Sequence, residues 1–129
     1  LDLPGHGPER TLAVVRLIVD HYTSDLFKAA LQVWTAAASD PALAARVLPL
    51  ETAMSREVLG IAATALDRDP HDARVRRAIQ TTLDLARGLG LADVLSDDSE
   101  RRDKIIRYWA QTMHDALAGT DRSPSEAAL

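Results

Sequence analysis

SDLFKAALQVWTAAASDPALAAR, residues 24–46, decides how this chain is read. Phe27 and Trp34 are the largest apolar side chains of the first half, and they stand seven residues apart, two helical turns and therefore one face. Leu31, four after Phe27 and three before Trp34, completes that face. The pattern stops at Ser39-Asp40-Pro41, where Asp40 suits an N-cap and Pro41 the first position of a new helix. The stretch predicts an aromatic helix over residues 25–38, capped by Thr23 and Ser24, then a tight corner and a second helix leaving at once.

Outward from that corner the apolar spacing stays helical. Upstream, residues 1–7 read as a linker punctuated by Pro4, Gly5 and Gly7. Pro8 starts a helix over residues 8–22, with Leu12, Val15, Val19 and Tyr22 as its stripe and Val14 and Ile18 widening it. Downstream, Leu43, Val47, Leu50, Met54, Val58, Ile61 and Ala65 predict one long face over residues 41–68. Pro49 lacks an N–H and crowds the preceding turn, so a kink or short break is expected around residues 46–49, and a bend there would open a cavity. Asp69-Pro70 starts a fourth helix, predicted to stop at Gly88-Leu89-Gly90. Asp97 and Glu100 form a capping-box pair for a fifth over residues 98–118. Residues 120–129 carry no stripe and read as a frayed tail. No strand candidate and no close repeat is present, so the predicted class is all-α.

Composition excludes several functions. A 129-residue chain that is 47% apolar is one globular domain with a real core. A net charge of −4 argues against a nucleic-acid-binding face. The basic groups Arg74/Arg76/Arg77 and Arg101/Arg102/Lys104/Arg107 have acids beside them and read as solvated helix faces. With no cysteine there is neither a disulfide framework nor a thiolate metal site, which suits the cytoplasm. No apolar run approaches the ~20 residues of a membrane span, so no membrane partner is expected.

The order aromatic helix, "A-L-x-V-W-x-A-A", "S-D-P-x-L" and long amphipathic helix resembles the regulatory half of TetR-family transcription regulators, from about residue 10 to residue 117. The resemblance implies a five-helix effector-binding and dimerisation domain over residues 8–119, a repressor released by a small hydrophobic or amphipathic ligand. It also implies operator DNA bound only through an N-terminal helix-turn-helix that has no counterpart here. The chain begins with Leu1 and not Met, so residues are expected to precede it.

The last two predicted helices carry more apolar surface than one buried stripe needs. Val75, Ile79, Leu83 and Ala86 form one set on the fourth helix, and Ala78, Thr82, Leu85 and Leu89 another. On the fifth, Ile105, Trp109, Thr112 and Ala116 lie beside Ile106, Ala110, Met113 and Leu117. A second copy is the simplest cover, giving a two-fold four-helix bundle with Val75, Ala78, Ile79, Thr82, Ile105, Trp109, Thr112 and Ala116 at the interface.

For chemistry the sequence offers little. His6, His21, His71 and His114 lack a second ligand at metal spacing, and Asp67, Asp69 and Asp72 are explained as caps and helix-start charges, so no metal and no cofactor is expected. Gly88-Leu89-Gly90 follows a helix and is no phosphate loop, and no serine has nucleophile-elbow context, so no enzyme is predicted. A ligand pocket is the better candidate. Phe27, Leu31, Trp34, Met54, Val58, Thr82, Leu83, Trp109 and Met113 lie on inward stripes, with Tyr22, Thr52 and Gln80 as further polar groups. The competing reading is a helical interaction domain with a solid core and no effector.

Overall fold

The computed structural model describes residues 3–119, so the predicted tail at 120–129 lies outside the described residues, as do the first two residues of the predicted linker. The architecture is all-α: α1 (Pro8–Tyr22), α2 (Asp25–Ala37), α3 (Pro41–Ala65), α4 (Ala73–Leu95) and α5 (Ser99–Gly119). The starts follow from local chemistry. Gly7, at a φ of 57°, turns the chain into Pro8, and its carbonyl takes the Thr11 N–H at 3.1 Å. The Ser24 hydroxyl accepts from the Phe27 N–H at 3.3 Å, and the Asp40 carboxylate from the Leu43 N–H at 3.2 Å. Each satisfies a donor that a helix start leaves without a partner.

Several points differ from the sequence reading, among them the end of α3, which lies at Ala65 and not at residue 68. The short break expected around residues 46–49 does not occur: α3 is continuous through Pro49. Pro49 and Ala45, whose carbonyl loses its partner, are both exposed, so the missing bond falls on the solvent side of the helix. Next, α4 starts three residues later than Pro70, with Asp72 as its cap accepting from the Arg74 N–H at 2.8 Å. Asp69 instead closes the preceding turn through the His71 N–H. Finally, α4 does not stop at Gly88 or Gly90 but runs to Leu95. A glycine stop needs a left-handed residue, and among the described glycines only Gly5 and Gly7 have positive φ.

Gly90 serves packing instead. A Cβ built there would stand against the Tyr22 carbonyl and 2.9 Å from Phe27 Cε1. The α4 backbone thus lies directly on the corner where α1 hands over to α2.

The core gathers on α1. Val14, Val15, Ile18, Val19 and Tyr22 pack with Val75, Ile79, Leu83, Ala86 and Leu89 of α4 and with Ile106, Ala110, Met113 and Leu117 of α5, all buried. Ala62 and Ala63 complete it from α3, and Phe27 from α2. Burying whole side chains of this size stabilises by about 1.5–3 kcal/mol each, so α1 and its two long neighbours form the frame. By contrast, α2 buries one residue fully, Phe27, and α3 only two alanines.

Ion pairs tie the frame outside. Arg16 of α1 meets Asp103 of α5 at 2.8 Å, and Asp93 of α4 joins Lys28 of α2 at 3.2 Å and Arg102 of α5 at 3.0 Å. The hydrogen bonds from Arg107 and then Arg16 hold the Asp103 carboxyl below its ordinary value of 3.8. A carboxylate depressed on folding contributes stability above its unfolded pKa and loses it as pH falls through the lower folded value. Asp103→Asn is therefore expected to lower the melting temperature slightly at pH 7, with the difference from the parent shrinking as pH falls below about 4 and the acid limb flattening; thermal melts across that range check it.

Two of the helical glycines give a paired prediction. Gly90→Ala drives a methyl into the Tyr22 backbone and is expected to cost about 3 kcal/mol or more, as overpacking against an immovable neighbour does. Gly60→Ala meets nothing within 4 Å and is expected to stabilise by about 1 kcal/mol. Urea unfolding of the two variants beside the parent decides it.

Candidate functional site

Because α2 and α3 are joined to the frame by so few buried residues, apolar space is left beneath them. A cleft of about 250 Å³ lies between them. Leu26, Phe27, Ala30, Val33 and Trp34 of α2 form one wall, and Val47, Leu50 and Met54 of α3 the other. Val47 and Leu50 flank Pro49, so the continuous helix presents its proline region to this cleft. Tyr22, Phe27 and Trp34 line up edge to face, with ring centroids 4.7 Å and 5.7 Å apart, a preferred aromatic arrangement. The seven-residue spacing read from the sequence thus does bring Phe27 and Trp34 together.

One corner of the cleft is polar. Arg87 reaches it from α4, bonded to Asp84 at 2.7 Å, Glu51 at 3.2 Å and the Ser55 hydroxyl at 3.4 Å. Its guanidinium carbon stands 5.7 Å from the Tyr22 ring centroid and 5.9 Å from that of Trp34, within cation–π range. Sequence reasoning did not select Arg87, Glu51 or Ser55. Arg87 lies next to the buried Ala86, and only that juxtaposition hinted at a charge at the edge of the core; its α3 partners are more than thirty residues away in sequence.

A second, apolar cleft of about 310 Å³ opens between α1 and α3, lined by Leu3, Val14, Leu17, Ile18, Val58, Ile61, Ala62 and Ala65. His21 and Tyr22 border both clefts.

The nine residues selected as pocket candidates divide. Phe27, Trp34 and Met54 line the α2–α3 cleft, and Val58 lines its neighbour. Leu31 is partly buried against the core. Leu83, although buried, borders a mixed polar and apolar groove between α3 and α4, where Thr52 and Gln80 also lie. Thr82, Trp109 and Met113 form a separate cluster where α4 meets α5. There the Trp109 indole N–H donates to the Thr82 hydroxyl at 2.8 Å, and that hydroxyl lies 2.9 Å from the Ala78 carbonyl and 3.6 Å from Met113 Sδ.

That cluster also locates the outer face of α4 and α5. Of the eight interface candidates, Val75, Ile79 and Thr82 are buried inside one chain, which corrects their assignment to a partner-facing stripe. Val75 and Ile79 fill the core, and Thr82 is covered by the α4–α5 contact with Trp109 and Met113, so none of the three is open to a second copy. Ala78, Ile105 and Trp109 are half-buried, while Thr112 and Ala116 are exposed. Ala78 and Leu85 flank Thr82 by four and three residues, and Ile105 and Thr112 flank Trp109 likewise, so these side chains share one side of the helix pair. Leu85, Ala92 and Leu95 continue the α4 strip, and Tyr108 joins that of α5. Leu95 is 87% exposed and Tyr108 74%.

Among the described residues, no group of three or more His, Asp or Glu side chains is placed to hold a metal ion. His114 instead lies 3.4 Å from the Thr11 hydroxyl through Nδ1. Among the described residues, no helix is long and apolar enough to cross a membrane. Comparison with protein-family models, curated proteins and solved structures finds no match to this chain.

Removing the Thr82 hydroxyl tests the α4–α5 contact. Thr82→Val keeps the shape but leaves the Trp109 N–H without its acceptor, and it is expected to cost about 1–3 kcal/mol in urea unfolding, with a change in Trp109 emission.

Proposed function

We propose that this chain is the effector-sensing and dimerisation domain of a TetR-like transcription regulator. The observation that carries the reading is the apolar α2–α3 cleft with one polar corner, the make-up of a small-molecule site. It lies under the two helices least secured to the frame. The solid-core alternative calls for a closed interior, and the two apolar clefts favour the sensing reading over it. The outer strip of α4 and α5 supports the dimer. Leu85, Ala92 and Leu95 with Ile105, Tyr108 and Ala116 form an apolar face that a second copy covers by two-fold symmetry.

In this proposal a small hydrophobic or amphipathic effector enters between α2 and α3. Operator DNA is read by a separate N-terminal helix-turn-helix. The ligand acts by binding one arrangement of the dimer better than another, the only way it can shift their balance.

Two measurements test it. Light scattering is expected to give twice the mass of one chain, and Tyr108→Glu with Leu95→Glu is expected to give a monomer of unchanged helicity. The neutral dye N-phenylnaphthylamine is expected to brighten at one equivalent per chain, and Ala30→Trp, which fills the cleft, to abolish the signal. A monomeric parent, or dye binding indifferent to Ala30→Trp, rejects the reading.

A further inference from the structure

Both apolar clefts are built on the α3 stripe Val47, Leu50, Met54, Val58, Ile61 and Ala65. The first three of these residues line the α2–α3 cleft, and the last three line the α1–α3 cleft. The stripe is one helical face, so the two clefts lie end to end along it. Met54 and Val58, where the two sets meet, are about one turn apart, roughly 6 Å along the axis. The chain itself leaves much of this face open: Leu50 is 72% exposed, Met54 50% and Ile61 43%.

His21 and Tyr22 stand at the junction and border both clefts. A ring that divided two open clefts would show both its faces to water. Tyr22 is only 5% exposed and packs edge to face on Phe27, so it is the floor of the junction and not a wall across it. His21 is exposed, its ring 5.3 Å from that of Tyr22, and it forms the rim. An exposed side chain changes rotamer within nanoseconds, so His21 does not hold the passage shut.

Size and lining then set the occupant. Volumes of about 250 and 310 Å³ lie at the bottom of the range for small-molecule sites, whereas a ligand that fills both clefts falls well inside it. Beyond His21, Tyr22 and the corner of Glu51, Ser55 and Arg87 the lining is apolar, so most of the ligand's length is hydrocarbon. To reach from one cleft to the other it threads between the Tyr22 floor and the turn from Met54 to Val58. That path suits a single chain better than a branched body of the same carbon count.

We infer that the two clefts are one site, and that it takes an amphiphile with one unbranched alkyl chain long enough to cross the junction at His21 and Tyr22. The inference rests on the ligand-sensing reading above and names its ligand class.

Displacement of N-phenylnaphthylamine from the whole chain tests it. The probes are octanoate, tetradecanoate and 2-hexyloctanoate, a branched isomer of tetradecanoate; all share one head group. Each covered methylene is worth about fourfold in affinity, so tetradecanoate is expected to bind about a hundredfold or more tighter than octanoate. The branched isomer, which cannot cover its whole length, is expected to fall about tenfold or more below tetradecanoate. Ile61→Trp fills the α1–α3 half and is expected to bring tetradecanoate within about tenfold of octanoate. The inference is overturned, and the α2–α3 cleft stays a ligand site, if tetradecanoate displaces the dye no better than its isomer or not at all. An advantage over octanoate that survives Ile61→Trp has the same consequence. A parent chain that does not bind the dye rejects the ligand-sensing reading and this inference with it. Comparing the isomers needs the parent chain alone, so that outcome stands even where Ile61→Trp folds poorly.

Discussion

The contact of the α4 backbone with the Tyr22 carbonyl at Gly90 is the constraint on which the remaining geometry hangs. A glycine there lets α4 come against the end of α1 with no side chain between them, and the α1–α2 corner is pinned at that point. Tyr22 and Phe27, on either side of the corner, close edge to face over it. From this hinge of packed backbone, α2 projects outward. Only Phe27 of its first turn is buried, and its later turns are held mainly by Leu31 and Trp34, both only partly covered.

The distribution of burial explains where function can sit. α1 is wrapped by α4 and α5, and that sandwich contains most of the apolar side chains that are fully covered. α2 and α3 lie over it with alanines and one phenylalanine as anchors. Small anchors cost little to separate, and they leave clefts that larger side chains would have filled. The rigid part of the domain and the part able to respond to a ligand are thereby separated in space. Arg87 connects them, since it rises from α4 of the frame and bonds Glu51 and Ser55 of α3 beneath the rings of Tyr22 and Trp34.

The same division sets the outer surface. Once Val75, Ile79 and Thr82 are spent on the interior, the apolar strip left beside α5 runs through Ala78, Leu85, Ala92 and Leu95, and Leu91 and Val94 are exposed near the same end of α4. The residual stripe is narrower than the spacing alone suggests and displaced toward the C-terminal end of α4. Trp109 marks its edge, its ring half-buried and its N–H satisfied inward by Thr82.

The all-α class, the five helices, the Ser24 and Asp40 caps and the shared face of Phe27 and Trp34 were legible from residues alone, because each depends on neighbours within two helical turns. The stop at Gly90 and the break at Pro49 were misread for the opposite reason. The sequence shows that a glycine permits a stop and a proline a break. Whether either happens depends on what lies across from it, here the Tyr22 carbonyl for one and open water for the other. Which of two apolar stripes is core and which is outer face, and that Arg87 meets Glu51 across the cleft, were likewise decided only in three dimensions. Periodicity reports that a side is greasy, while the element that covers that side, or the charge brought to its edge, comes from a distant part of the chain.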